Sequence, residues 1–194
     1  MTSLWYLQWD RELTGEERHT LLEGLPASRR SRLAASGQDQ VLCAYGLLGL
    51  ALRRTLGWEA IPPIALESRG KPYFSERPEV HFSLSHTAGA GLVGLSLAPI
   101  GVDIEKMRPL GRVKRLLGEA LTEEEALQRW TALEAAAKRS GRGVGEFLRD
   151  IPDMSGCACL EVGTGYFASA ACKGEWSFHR CRLEDLFRQE KSAP

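Results

Sequence analysis

Hydrophobic positions along this chain alternate in short runs and recur at helical spacing in longer ones. Leu4–Gln8 reads as a first strand, with Trp5, Leu7 and Trp9 on one side. Thr14-Gly-Glu-Glu-Arg opens a helix: Thr14 can cap it, and Glu17 three residues on completes a capping box, until Leu25-Pro26 breaks it. Ala27–Ser36 is expected to be helical, with Arg29 and Arg32 on one face. Gln38–Leu56 is the strongest helix of the N-terminal half. Its apolar face is broad, Gly46 and Gly49 permit close packing, and Gly57 ends it. Extended and turn segments follow at Ile61-Pro-Pro-Ile and Glu67–Phe74, the latter holding the turn Gly70-Lys71-Pro72.

In the centre, His81–Leu84 leads into Ser85-His86 and a glycine-bearing turn, Thr87–Gly91. Leu92–Leu97 and Ile100–Glu105 are then two strands joined by Ala98-Pro99. Alternation in the second strand puts Val102 and Ile104 on one face and Asp103 and Glu105 on the other. Two carboxylates leaning together from neighbouring positions on one face can share a cation. The same Asp-x-Glu pattern is more often only the wet face of a half-buried sheet.

Beyond Leu110–Gly118, Thr122 with Glu125 is a second capping box and starts a long helix over Leu121–Gly141. Trp130, Glu134 and Lys138 line one slowly drifting stripe of it, a spacing that also suits a plain surface Glu–Lys pair. Cys157–Val162 and Tyr166–Cys172 flank Gly163-Thr-Gly165 as a hairpin. Trp176–Arg182 is a last strand, and Leu183–Phe187 a short helix.

Composition narrows the function classes. The 194 residues suffice for one large domain or two small halves, and 43% hydrophobic with 26% charged residues is ordinary for a globular chain. Lys+Arg and Asp+Glu balance at 25 each, so no global field recruits nucleic acid or a membrane, and an anion site has to be local. The longest apolar run, Val41–Leu52, is too short to span a bilayer, and no signal peptide is visible. Five cysteines with no metal-site spacing read as reduced cytoplasmic thiols. No nucleophile elbow surrounds Ser83, Ser85 and His86, and no helix opens after the glycines at 89, 91 and 94 to make a dinucleotide fingerprint.

Taken together and in this order, several of these elements resemble the 4′-phosphopantetheinyl transferase superfamily in its larger, pseudo-dimeric, single-chain type. The matching runs are Gly70-Lys71-Pro72, Phe82-Ser-Leu-Ser-His86, Gly101-Val-Asp-Ile-Glu105, Trp130-Thr-Ala-Leu-Glu-Ala-Ala-Ala-Lys138 and Gly141-Arg-Gly143. The resemblance implies an α+β fold of two similar halves, 1–99 and 100–194, each a long helix packed on a small antiparallel sheet, with the active site between them. It implies transfer of the phosphopantetheine arm of coenzyme A to a serine of an apo acyl or peptidyl carrier protein. Adenosine 3′,5′-bisphosphate is released, Mg²⁺ (or Mn²⁺) assists, and the protein is a cytoplasmic monomer with no nucleic-acid or membrane partner. Asp103, Glu105 and Glu134 would hold the metal. Glu134 would take the serine proton, and Lys138 would neutralise the diphosphate. Lys71, Ser85 and His86, with Asp103 and Lys138, would hold coenzyme A, and Arg29 and Arg32 would suit its 3′-phosphate. Two positions depart from the family pattern: Leu133 stands where a lysine is common, and Leu42 where an arginine is common. They motivate a second reading, a non-catalytic module that binds coenzyme A or the carrier.

Overall fold

The structure is a computed structural model that describes residues 1–34, 39–118, 120–147, 154 and 156–188, without the side chains of Ser31, Arg32, Ala34, Val144 and Phe147. Among the described residues nine strands and six helices follow one another: β1 Thr2–Gln8, α1 Gly15–Glu23, α2 Ala27–Ala34, α3 Asp39–Leu56, β2 Ile64–Leu66, β3 Pro72–Phe74, β4 His81–Thr87, β5 Ala90–Ser96, β6 Gly101–Lys106, α4 Arg112–Leu117, α5 Glu123–Ser140, α6 Val144–Phe147, β7 Cys157–Leu160, β8 Tyr166–Ala171 and β9 Ser177–Arg182. A 3-10 turn at Leu183–Leu186 replaces the short helix expected there. The ends expected at Ser36 and Gln38 lie outside the described residues.

Both capping boxes form. Thr14 accepts from the Glu17 amide while Glu17 accepts from Thr14, and Thr122 and Glu125 exchange the same pair of bonds. Each satisfies two amide donors that a helix start leaves open, and the acids of the first turn suit the positive end of the helix.

Two sheets carry the architecture. One runs β4-β5-β1-β9 and the other β6-β8-β7, with β2 and β3 as a separate hairpin. The helix α3 covers the first sheet through Leu47, Leu48 and Leu52, against Trp5, Leu7, Phe82 and Val93. The opposite side of β1, Leu4 and Tyr6, meets Val102, Ile104 and Ala168 of the second sheet. β1 is therefore buried on both sides, which its one-sided pattern of Trp5, Leu7 and Trp9 does not convey. On the far side of the second sheet lies α5, with Ala135 and Ala136 against Ala171 and a buried polar link from Thr131 Oγ1 to Ser169 Oγ at 2.9 Å. The order of layers is helix, sheet, sheet, helix, in an α+β fold with a long helix on each outer side.

The first sheet is not wholly antiparallel. β9 pairs with β1 in parallel, from Ser3 opposite Ser177 to Gln8 opposite Arg182, and so covers hydrogen-bonding groups that would otherwise form an open edge. The 3-10 turn after it adds Leu183 and Leu186 to the core around α3. The bend between β5 and β6 at Leu97–Ile100 is where the chain passes from one sheet to the other. Among the described residues no helix is long and apolar enough to cross a membrane, and the five cysteines form no disulfide.

Candidate active site

The second-sheet strand β6 and the first-sheet strand β4 run side by side without a backbone ladder between them. Side chains join them instead: Ser83 Oγ accepts from the Val102 amide at 3.1 Å, and Thr87 Oγ1 accepts from the Lys106 amide at 3.3 Å. This seam sets Ser85 beside Asp103, and the Ser85 hydroxyl donates to Asp103 Oδ1 at 2.8 Å.

Above the seam lies α5, and Gly101 is what lets it come so close. A Cβ at Gly101 would collide with the Ala135 carbonyl oxygen and the Arg139 amide, both helix backbone that cannot step aside. With no side chain there, the helix lies directly on the start of β6, and the alanines beneath it take little space. Glu134 and Lys138, one turn apart, then face Asp103 and Glu105. The Lys138 ammonium donates to Asp103 Oδ1 at 2.6 Å and to Ser85 Oγ at 3.0 Å. Asp103 is 3% exposed, and its second oxygen, Oδ2, is buried with no hydrogen-bond partner among the described residues.

The electrostatics follow from burial and crowding. Burial, reinforced by the charges of Asp103 and then of Glu105, pushes the Glu134 carboxyl up to about 7 against the opposing pull of Lys138. Burial also lowers His86, with Lys138 adding to the effect and Asp103 opposing it, so its imidazole stays neutral near pH 7. The His86 Nδ1 atom is buried without a partner among the described residues.

A cavity of about 360 Å³ opens beside this group, lined on one side by Gly70, Lys71, Pro72 and Phe82 and on the other by Glu134, Lys138 and Gly141-Arg-Gly143. Lys71 donates to the Arg139 carbonyl oxygen at 2.8 Å, satisfying an acceptor that the end of α5 leaves open. Its ammonium is pushed below its ordinary value, mainly by burial. The helix ends at Gly141 with φ +72°, a left-handed value that favours glycine.

Of the residues singled out in the sequence, Asp103, Glu105, Glu134, Lys138, Ser85 and His86 thus cluster, and Lys71 lines the adjoining cavity. Arg29 sits on α2 and is not among the residues lining that cavity, and the Arg32 side chain is outside the described residues. The two departures are buried leucines: Leu42 is 2% exposed, within the core under α3, and Leu133 is 6% exposed. One neighbour went unforeseen. Arg108 grips Glu105, donating from Nε to Oε2 at 3.2 Å and from a terminal nitrogen to Oε1 at 2.8 Å. It lies three residues past Glu105, where the strand has ended and alternation no longer says which way a side chain points.

The donor set is a buried carboxylate oxygen without a partner, beside two further carboxylates held close enough to repel one another. That set of hard oxygens suits a small divalent cation. Among the described residues, no three His, Cys, Asp or Glu side chains already stand in a metal-ligating arrangement. Lys138 and Arg108 hold oxygens of Asp103 and Glu105 instead.

The chain is similar to known proteins of one kind. A 4′-phosphopantetheinyl transferase of Bacillus subtilis is 26% identical over 155 residues, 70% of this chain and 68% of the relative. A second from Bacillus subtilis, 4′-phosphopantetheinyl transferase ffp, is 28% identical over 154 residues, again 70% and 68% of the two chains. Over about 70% of its length the chain is similar to 4′-phosphopantetheinyl transferases. The 4′-phosphopantetheinyl transferase psf-1 of Bacillus pumilus is 30% identical over a shorter stretch of 91 residues, 40% of this chain and 39% of that protein. No family model matches the chain. All three relatives are named as 4′-phosphopantetheinyl transferases.

Proposed function

We propose that this protein transfers the 4′-phosphopantetheine arm of coenzyme A to a serine hydroxyl of an apo acyl or peptidyl carrier protein and releases adenosine 3′,5′-bisphosphate. The observation that carries this reading is the meeting of Asp103, Glu105 and Glu134 with Lys138 at the edge of a cavity between α5 and the Gly70-Lys71-Pro72 turn.

The division of labour follows from the side chains. A divalent cation, Mg²⁺ or Mn²⁺, would be held by Asp103, Glu105 and Glu134 and would supply charge neutralisation at the phosphoryl oxygens. Glu134, whose side chain lines the cavity, accepts the proton of the carrier's serine as general base. The serine oxygen forms a bond to the phosphorus that bears the pantetheine arm. The bond from that phosphorus to the bridging oxygen of the adenosine bisphosphate breaks, and the electron pair leaves with the bisphosphate. Lys138, fixed by Asp103 and Ser85, offers its ammonium to the diphosphate and to the charge growing on the leaving oxygen. Lys71, whose ammonium is anchored on the end of α5, and the neutral His86 suit the nucleotide part of coenzyme A, with Arg29 and Arg32 suiting its 3′-phosphate. No protein nucleophile is needed, because the attacking hydroxyl arrives on the carrier.

The test is a mass measurement on a panel of apo carrier proteins incubated with the protein, coenzyme A and Mg²⁺. At least one carrier is expected to gain the mass of one phosphopantetheine, and Asp103→Ala is expected to abolish the gain. Wild-type protein that loads no carrier, or loading that survives Asp103→Ala undiminished, would overturn the reading.

A further inference from the structure

Glu105 is not simply available to a cation in this structure, because Arg108 already occupies both of its oxygens in a bidentate pair. The geometry of that pair is set locally. The strand ends at Lys106, the Met107 amide donates to the Gly165 carbonyl oxygen at 2.7 Å, and the backbone so pinned presents the residue three past Glu105 back across its carboxylate.

The two side-chain cations at the centre differ in how readily they can move. Lys138 pairs with an Asp103 side chain that is 4% exposed and also bonds Ser85, so removing it would strand a buried charge. Asp103 keeps Oδ2 for a further partner while Lys138 stays on Oδ1. Arg108 is half exposed against a Glu105 side chain that is 19% exposed, and its guanidinium can turn into water at small cost. Of the three carboxylates the proposed function assigns to the cation, Glu105 is therefore the one whose oxygens have to be taken from a competitor.

We infer that Arg108 is an internal competitor of the divalent cation, which reaches Glu105 only by displacing the Arg108 guanidinium, so that Arg108 sets how tightly the site binds metal. This rests on the proposed assignment of Asp103, Glu105 and Glu134 to a cation. Its consequence is specific: removing Arg108 tightens metal binding, the opposite of what is expected for a residue that merely orients Glu105 for the metal. Exposed ion pairs of this kind bias an equilibrium modestly, and charge-assisted bidentate ones more, so the expected gain is about threefold to tenfold.

The experiment is a titration of the protein with Mn²⁺ alone, with bound and free ion distinguished by electron paramagnetic resonance, for wild type, Arg108→Ala, Arg108→Gln and Asp103→Asn. Circular dichroism identifies any variant that fails to fold, and the glutamine variant keeps a polar side chain of similar reach if the alanine variant does not fold. Expected are a Kd lower than wild type in both Arg108 variants and binding lost in Asp103→Asn. A Kd unchanged or raised in the Arg108 variants, with Asp103→Asn still losing binding, would overturn the competition and leave the proposed function standing. Binding by no variant, or binding indifferent to Asp103, would overturn the assignment of the cation itself, and the competition with it.

Discussion

At the scale of single residues, Glu134 is the side chain whose environment says most. Its carboxyl is raised from 4.5 to about 7, first by burial and then by Asp103, so the folded protein holds a proton there that the unfolded chain releases at lower pH. Between those two values the folded state binds more protons than the unfolded one, so stability falls as pH rises and the full cost of the buried charge is present above pH 7. In the metal-free protein kept in chelator, Glu134→Gln removes that cost. Its melting temperature is expected to match wild type near pH 4.5 and to exceed it by ~2–5 °C at pH 8, as measured by scanning fluorimetry. Equal melting temperatures at both pH values would contradict the assigned environment. The same variant, deprived of its base, is expected to lose activity by about 10²–10⁴-fold at any pH. Lys138→Met makes the complementary case. It leaves Asp103, at 4% side-chain exposure, without its ammonium, and a loss of roughly 2–4 kcal/mol is expected in urea unfolding.

At the scale of elements, α5 is the part that positions chemistry, and two residues far from the reacting groups govern it. Gly101→Ala forces a methyl group into the helix backbone at Ala135 and Arg139. The helix has to shift, and both stability and activity are expected to fall, the latter by at least tenfold, because a displaced Glu134 no longer meets Asp103. Thr122→Ala removes one half of the capping box. It is expected to cost ~1 kcal/mol and lower the melting temperature by ~2–4 °C while leaving KM for coenzyme A unchanged. Thr14-x-x-Glu17 and Thr122-x-x-Glu125 were legible at once, since a capping box is a local device written in four consecutive positions. The alternation that separates Val102 and Ile104 from Asp103 and Glu105 was equally plain. The seam between β4 and β6 was not, because its bonds run from serine and threonine side chains to amides nineteen positions away. Nor was the Arg108 pair: an arginine three past a glutamate at a strand end carries no periodic signal.

At the scale of the molecule, β1 borders two cores, and the end of the chain completes the one around α3. β9 lies parallel to β1, and Leu183 and Leu186 pack into the core around α3. No local pattern announces that a strand near residue 180 pairs with the first strand of the chain, because periodicity reports which faces are apolar and not which strand is the neighbour. Removal of residues 177–194 strips the edge of β1 and opens that core. The truncated chain is expected to lose its near-ultraviolet circular dichroism and cooperative unfolding, even though every proposed site residue is retained.

The most direct measurement is a crystal structure of the wild-type protein with coenzyme A and Mn²⁺, in which the anomalous signal locates the metal. The account predicts one anomalous peak bounded by Asp103, Glu105 and Glu134, with the diphosphate of coenzyme A against Lys138. A metal peak elsewhere, or coenzyme A bound away from the cavity between α5 and the Gly70-Lys71-Pro72 turn, would contradict it.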